Sequence, residues 1–146
     1  SSSAASDVYK RQGSDLVKKD QLSEAVKIFT KVIELDPSWA EAWNKRATVL
    51  YLLGEFQKSQ ADIDKVLELE ERHFGALAGQ GLVNIQLKNY EKAIKSYKKA
   101  QKIYPTMKSP KFSLSLDFLM PISKILASAK VKISSTSALK APLSNS

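Results

Sequence analysis

A period of 34 residues runs through about the first two-thirds of the chain. Positions one period apart keep the same class of side chain over three successive units. They are large and apolar at Tyr9, Trp43 and Leu77, small at Gly13, Ala47 and Gly81, and aromatic or branched at Phe29, Ile63 and Tyr97. A fixed period of this length is typical of stacked pairs of helices, in which each pair buries its apolar face against the next. The pattern therefore predicts an all-α array.

Turn residues divide the array into helices. The segment 22–35 has apolar residues at helical spacing and is followed by Pro37, which cannot continue a helix. Ser38 and Glu41 stand three residues apart before the next apolar run, so we expect a capping box there. Later helices are expected at about 39–53, 55–69, 73–88 and 90–104.

Residues 39–71 resemble one complete tetratricopeptide repeat of bacterial type, and the matched positions extend the resemblance over residues 13–105. The resemblance implies an α-solenoid of antiparallel helix pairs. About three repeats are expected, at about 6–39, 40–73 and 74–107. It also implies that Ala47 and Gly81 lie where the two helices of one repeat cross closely. The family by itself says little about function, because function depends on the site and not on the fold.

The N-terminal segment has a second resemblance. Over eleven residues, Ser2 to Gln12 resembles the in-frame translation of an adapter used to prepare sequencing libraries. We therefore expect residues 1–12 to be adapter-derived, the chain to be a fragment without its natural N-terminus, and the register of Tyr9 to be a coincidence. On this interpretation the presence of a signal peptide stays open, as does the choice between cytoplasm and periplasm.

The C-terminal segment, residues 106–146, differs in composition from the repeats. Residues 108–146 contain ten serines, six lysines and one acidic residue. Two interpretations remain open: a capping helix at about 112–131 that lies on the last repeat, or out-of-frame translation. In either case we expect disorder from about residue 134, because few large apolar side chains follow it.

The net charge of +8 raises the possibility of a nucleic-acid partner. Residues 13–107 contain 15 basic and 13 acidic side chains, so the repeats are close to neutral and most of the excess lies in the tail. The alternative function is therefore non-specific binding to nucleic acid or an acidic surface, through a lysine-rich last helix and the basic tail. The lysines of that helix are Lys88, Lys92, Lys95, Lys98, Lys99 and Lys102. We regard a nucleic-acid partner as the weaker hypothesis.

Several kinds of chemistry find no support in the residues. The chain has no cysteine and one histidine, His73, which we expect to be a surface or packing residue in a turn. It also lacks a phosphate-binding glycine loop, a paired-histidine helix and a nucleophile elbow. The apolar run at 118–122 is far shorter than the ~20 residues of a spanning helix. We therefore expect no enzymatic activity, metal, cofactor or membrane span.

The resemblance implies that the first helix of each repeat lines a concave groove that binds another protein, as an extended peptide or a helix. In the first repeat the groove would present Ser14, Val17 and Lys18. The candidate site residues of the other repeats are Glu41, Asn44, Lys45, Thr48, Tyr51, Leu52, Ala78, Leu82, Ile85 and Gln86. The alternative is that these are ordinary solvated or neighbour-packed faces. The identity of the partner and the oligomeric state are not readable from the sequence.

One subclass of the resembled family binds acidic chaperone tails through a clamp of lysine, asparagine and arginine side chains. The clamp positions correspond here to Lys10, Ser14, Lys45, Gly75 and Gly79. Only Lys10 matches the required type, and it lies in the adapter-like segment. We therefore expect no carboxylate clamp in this chain.

Overall fold

The computed structural model describes residues 2–105, which form six α-helices and, within that range, no strand. The helices are α1 (Ser2–Lys18), α2 (Leu22–Leu35), α3 (Ala40–Leu52), α4 (Phe56–Leu69), α5 (Phe74–Gln86) and α6 (Tyr90–Ile103). The predicted all-α fold class is confirmed. The predicted capping helix and the predicted disordered end lie outside the described residues.

The helices pack as three successive antiparallel pairs, α1 with α2, α3 with α4 and α5 with α6. Each pair also contacts the next, through α2 with α3 and α4 with α5, and α3 touches α5 directly. Each pair buries its apolar stripe partly within itself and partly against its neighbour, so the core is continuous along the array. Such stacking gives the predicted α-solenoid and places α1, α3 and α5 on one side.

The turns inside the three pairs share one backbone conformation. Asp20, Gly54 and Lys88, spaced by one period, have φ values of 59°, 79° and 63°. In each turn the following residue donates a backbone hydrogen bond to the carbonyl five residues back, as from Glu55 to Leu50 at 2.9 Å. This left-handed ending is the usual way to satisfy the last carbonyls of a helix. The period is therefore visible in the backbone as well as in the side chains.

Close crossings within each pair explain the small residues. A Cβ atom on Gly13 would lie 2.7 Å from the ring of Phe29, and one on Gly81 would lie 2.4 Å from the ring of Tyr97. In the middle pair Ala47 takes the small position, and its carbonyl accepts a 2.6 Å hydrogen bond from the buried hydroxyl of Ser59. The helices of a pair are thus too close for a larger side chain at this position.

The predicted capping box at Ser38 and Glu41 is wrong. The N-cap of α3 is Trp39, one residue later than expected, and it makes no side-chain cap hydrogen bond. Ser38 donates instead to Asp36 Oδ1 at 2.8 Å, and the Glu41 carboxylate contacts His73. Because the helix begins later, Ser38 lies outside the N-cap position and cannot serve it.

Residues of the adapter-like segment belong to α1. Tyr9 packs against a cluster of Val32, Ile33 and Ala42, and the Lys10 ammonium lies 3.7 Å from the centroid of the Trp39 ring. Tyr9 thus fills the large apolar position of the first repeat, so the register expected to be a coincidence has a structural consequence. The origin of residues 1–12 stays a prediction.

Candidate peptide-binding groove

A small pocket lies where α1 and α3 meet on the side of the first helices. Its volume is about 190 Å³ and most of its surface is apolar. It is lined by Ser14, Val17, Lys18, Phe29, Lys45, Thr48 and Val49. Five of these residues are predicted groove residues of the first two repeats, namely Ser14, Val17, Lys18, Lys45 and Thr48. The pocket could hold one apolar side chain of a partner.

The charge of this pocket is positive. Lys18 is exposed and Lys45 is half-buried, whereas the lining contains no acidic side chain. The hydrogen bond from His73 is the main cause that lowers the pKa of Glu41, and the charge of Lys45 makes a smaller contribution in the same direction. A ligand that enters between α1 and α3 therefore meets apolar walls and two ammonium groups.

Tyr51 and Gln86 meet at the next step along the groove. Gln86 Nε2 donates to the Tyr51 hydroxyl at 3.3 Å, which links α3 to α5. The Tyr51 ring also packs edge-on against Phe56, with 5.4 Å between the ring centroids. Partial burial raises the pKa of Tyr51, and the hydrogen bond from Gln86 opposes that rise. The phenol is therefore neutral and can donate or accept a hydrogen bond at the groove surface.

Glu41 and His73 form a joint between the second and third repeats. His73 is the N-cap of α5, and its Nδ1 accepts from the Ala76 backbone N–H at 3.0 Å. Because Nδ1 accepts, Nε2 carries the proton and donates it to Glu41 Oε1. This hydrogen bond is the main cause that lowers the pKa of Glu41, against the opposing effect of burial. The Glu41 carboxylate, expected on the groove surface, is thus already hydrogen-bonded to His73. His73 is a packing residue that is 8% exposed.

Four other candidate residues are buried in the packing between helices. Asn44, Thr48, Leu82 and Ile85 are between 2% and 5% exposed. Thr48 donates to the Asn44 carbonyl at 2.9 Å, and Leu82 and Ile85 pack in a cluster with Tyr97. The candidate side chains with more open surface are Lys45, Tyr51, Leu52, Ala78 and Gln86.

Sequence reasoning missed one long-range ion pair. Arg46 Nε and Nη2 donate to the two carboxylate oxygens of Asp62 at 2.7 and 2.8 Å, and Nη1 donates to Thr30 Oγ1 at 3.1 Å. This arrangement joins α2, α3 and α4. The available signal was a charged residue at a position that is usually apolar in the resembled family, and a carboxylate 16 residues later. The same spacing recurs one period on, where Ser96 donates to Gln80.

Among residues 2–105 no three histidine or acidic side chains come together in a way that could hold a metal ion. No helix in that range combines the length and apolarity that crossing a membrane requires.

Two family models, both described as the tetratricopeptide repeat, match the chain over residues 10–59 and 75–107. A TPR repeat-containing protein of Rhizobium etli is 38% identical over 81 residues, which are 56% of this chain and 40% of that protein. Hsp70-Hsp90 organizing protein 1 of Glycine max is 29% identical over 99 residues, which are 68% of this chain and 17% of that protein. The Rhizobium relative confirms the resemblance to a bacterial protein. The chain spans less than half the length of these relatives.

The fold also matches a solved structure. The TPR2B domain of yeast Sti1, in complex with pHsp70, has a TM-score of 0.74 and 21% sequence identity, and the match covers 87% of this chain and 97% of that chain. At this identity the likeness concerns the fold alone. It agrees with the six-helix architecture.

Proposed function

The chain belongs to the tetratricopeptide repeat family, and from this premise we propose that it is an interaction module whose concave face binds another protein. The bound element is an extended peptide or a helix that lies along α1, α3 and α5. The observation that carries the proposal is the apolar pocket between α1 and α3, on the side where the first helices lie. A peptide side chain in that pocket would fix the register of the segment.

The similar proteins support the proposal that the partner is another protein. The soybean relative is named as an organizing protein of Hsp70 and Hsp90, and the yeast domain was solved with pHsp70. By analogy we propose that the present chain also recognises a polypeptide and has no catalytic activity of its own.

The exposed part of the groove defines what the partner should contain. Lys18 and Lys45 flank an apolar pocket, and Tyr51 and Gln86 offer neutral hydrogen-bonding groups one helix further on. A segment with an apolar side chain followed by polar groups would match this order. We expect such a segment to bind through its side chains and its backbone together.

The absence of a carboxylate clamp stays a prediction. Lys10 lies over the Trp39 ring, Ser14 donates to the Lys10 carbonyl at 3.1 Å, and Gly75 and Gly79 have no side chain to donate. We therefore expect no micromolar affinity for an acidic chaperone-tail peptide in isothermal titration calorimetry. A micromolar dissociation constant would contradict this.

Non-specific binding to nucleic acid is the alternative, and the comparisons do not favour it. Five of the six lysines in and before α6 are exposed, so the alternative deserves a direct test. Lysines give salt-sensitive binding without sequence preference. Loss of all nucleic-acid affinity in a filter-binding titration at about 150 mM salt would remove this alternative.

A peptide-display selection against the immobilised chain tests the proposed groove. Selected peptides should bind the unmodified chain, and a double substitution, Lys45→Ala with Tyr51→Ala, should weaken binding at least about tenfold. Lys31→Ala with Leu35→Ala, exposed on α2, is the matched control and should leave binding unchanged. Equal affinity of both double variants would remove the concave groove as the site.

A further inference from the structure

A second pocket lies on another face of α3, between α2 and α4. Its volume is about 500 Å³, which is within the usual range of ligand pockets. Its apolar lining is Val26, Leu50, Leu53 and Ala61. Leu53 is 37% exposed, unlike most of the large apolar side chains of the protein. The pocket therefore presents apolar surface that the fold leaves open to water.

Arg46 contributes to the floor of this pocket. Its side chain is 19% exposed, and three of its N–H groups are used by Asp62 and Thr30. A guanidinium has five N–H donors, so two remain, one on each terminal nitrogen, without a partner among the described residues. Guanidinium N–H groups form strong, charge-assisted hydrogen bonds with the oxygens of a carboxylate.

Charged side chains at the rim of the pocket also favour a carboxylate ligand. Lys27 and Lys58 stand on the two walls and are 71% and 72% exposed. Lys27 is paired with Glu24, and Lys58 is paired with Glu55, which also lines the pocket; exposed pairs of this kind are weak. Asp62 is neutralised by its two hydrogen bonds to Arg46. The lining thus has three cationic and two acidic side chains, so an incoming carboxylate meets a net positive charge and the two remaining guanidinium donors.

The next joint of the array provides an internal comparison. One period further on, Gln60 replaces Val26, Asn84 replaces Leu50 and Lys95 replaces Ala61. There Asn84 Nδ2 donates to Gln60 Oε1 at 2.8 Å, which bridges α5 to α4 with polar side chains. The same helix packing is thus built with polar side chains at three of the four positions, while Leu87 keeps the apolar type of Leu53. The open apolar surface at the first joint is therefore not a requirement of the fold.

We propose that the pocket between α2 and α4 is a second binding site, which takes a segment of another protein in which a large apolar side chain stands next to an aspartate or glutamate. The apolar side chain enters between Val26 and Ala61. The carboxylate binds the free donors of Arg46 and the ammonium groups at the rim. This site is separate from the concave groove and does not depend on it.

The test uses the full 146-residue chain, labelled with ¹⁵N, and a capped tetrapeptide of glycine, phenylalanine, aspartate and glycine. We expect chemical-shift changes at backbone amides around Ala61, Leu53 and Val26. Replacing aspartate by asparagine in the peptide should weaken binding about tenfold, because a charge-assisted hydrogen bond becomes neutral. Replacing phenylalanine by alanine should abolish the shifts. Equal shifts from all three peptides would overturn the proposal.

A pocket-filling variant gives the matched control. Ala61 is exposed on α4, so Ala61→Trp should fill the pocket without disturbing the fold, and the tetrapeptide should no longer bind. Lys95→Trp makes the same change at the equivalent exposed position of α6 and should leave binding unchanged. Circular dichroism confirms that both variants are folded. Unchanged binding to Ala61→Trp, or shifts confined to Ser14, Val17 and Thr48, would overturn this second site while leaving the concave groove in place.

Discussion

The substitution Gly81→Ala tests the close crossing of α5 and α6, because it has one stabilising and one destabilising effect, each of known size. Alanine stabilises a helix by about 1 kcal/mol relative to glycine. However, the new Cβ would lie 2.4 Å from Cε2 and Cζ of the Tyr97 ring, which is fully buried and cannot swing away. Overpacking of this kind costs about 1–3 kcal/mol. We therefore expect Gly81→Ala to lower the free energy of unfolding by up to about 2 kcal/mol.

The same substitution should change sign when Tyr97 is also replaced. The middle repeat has Ala47 and Ile63 at the matched positions, so an alanine facing an isoleucine is already compatible with this crossing. In a Tyr97→Ile background, Gly81→Ala should therefore stabilise the chain by about 1 kcal/mol, since only the helix-propensity gain remains.

Urea denaturation followed by circular dichroism gives the four free energies of this double-mutant cycle. The expected coupling between the two positions is about 1–3 kcal/mol, well above the error of such cycles. If Gly81→Ala stabilised both backgrounds equally, the inference that the ring of Tyr97 requires a glycine would be refuted.

Three further predictions follow from single residues. Lys88→Gly should stabilise the chain by about 1 kcal/mol, because Lys88 has a φ of 63°, which glycine adopts without strain. Lys92→Gly, within α6, should destabilise the chain by about as much. Thermal melts of the two variants check both predictions. Burial raises the pKa of Tyr97, and its buried hydroxyl has no hydrogen-bond partner among residues 2–105, so Tyr97→Phe should leave the melting temperature unchanged or raise it. The hydrogen bond from His73 lowers the pKa of Glu41 below the usual 4.5. The ionised carboxylate therefore stabilises the fold fully at pH values above 4.5, and this stabilisation is lost as the pH falls through the lowered pKa. Acid titration of stability should therefore be shallower for Glu41→Gln than for the unmodified chain, and identical curves would contradict the joint.

The helices were predictable because their ends are encoded locally. Expected spans of about 39–53 and 55–69 compare with Ala40–Leu52 and Phe56–Leu69 in the structure. Gly54 ends the first of these helices, and its positive φ is a conformation that glycine adopts without strain. The error at Ser38 had a different origin, since a one-residue shift in the start of α3 is enough to remove a residue from the N-cap position.

The side-chain partners of the candidate site were less predictable. The sequence placed Glu41 on the groove, but whether its carboxylate is free depends on where the next repeat brings His73, 32 residues away. Likewise, the sequence shows Arg46 only as a charged residue at a position that is usually apolar in this family, whereas the structure makes it the link among three helices. Partners of this kind depend on distances between helices, which a period in the sequence does not contain.

The helix α3 determines whether the two proposed binding sites can act together. Lys45 and Val49 line the concave pocket, whereas Arg46 and Leu50 line the pocket between α2 and α4. Successive residues of a helix point about 100° apart, so one occupant does not cover the side chains that serve the other. The first turn and the middle of α3 are also held by polar links, from Glu41 to His73 and from Arg46 to Asp62. A partner on one face can therefore bind while the other face keeps its geometry, which is the arrangement a scaffold needs to hold two polypeptides at once.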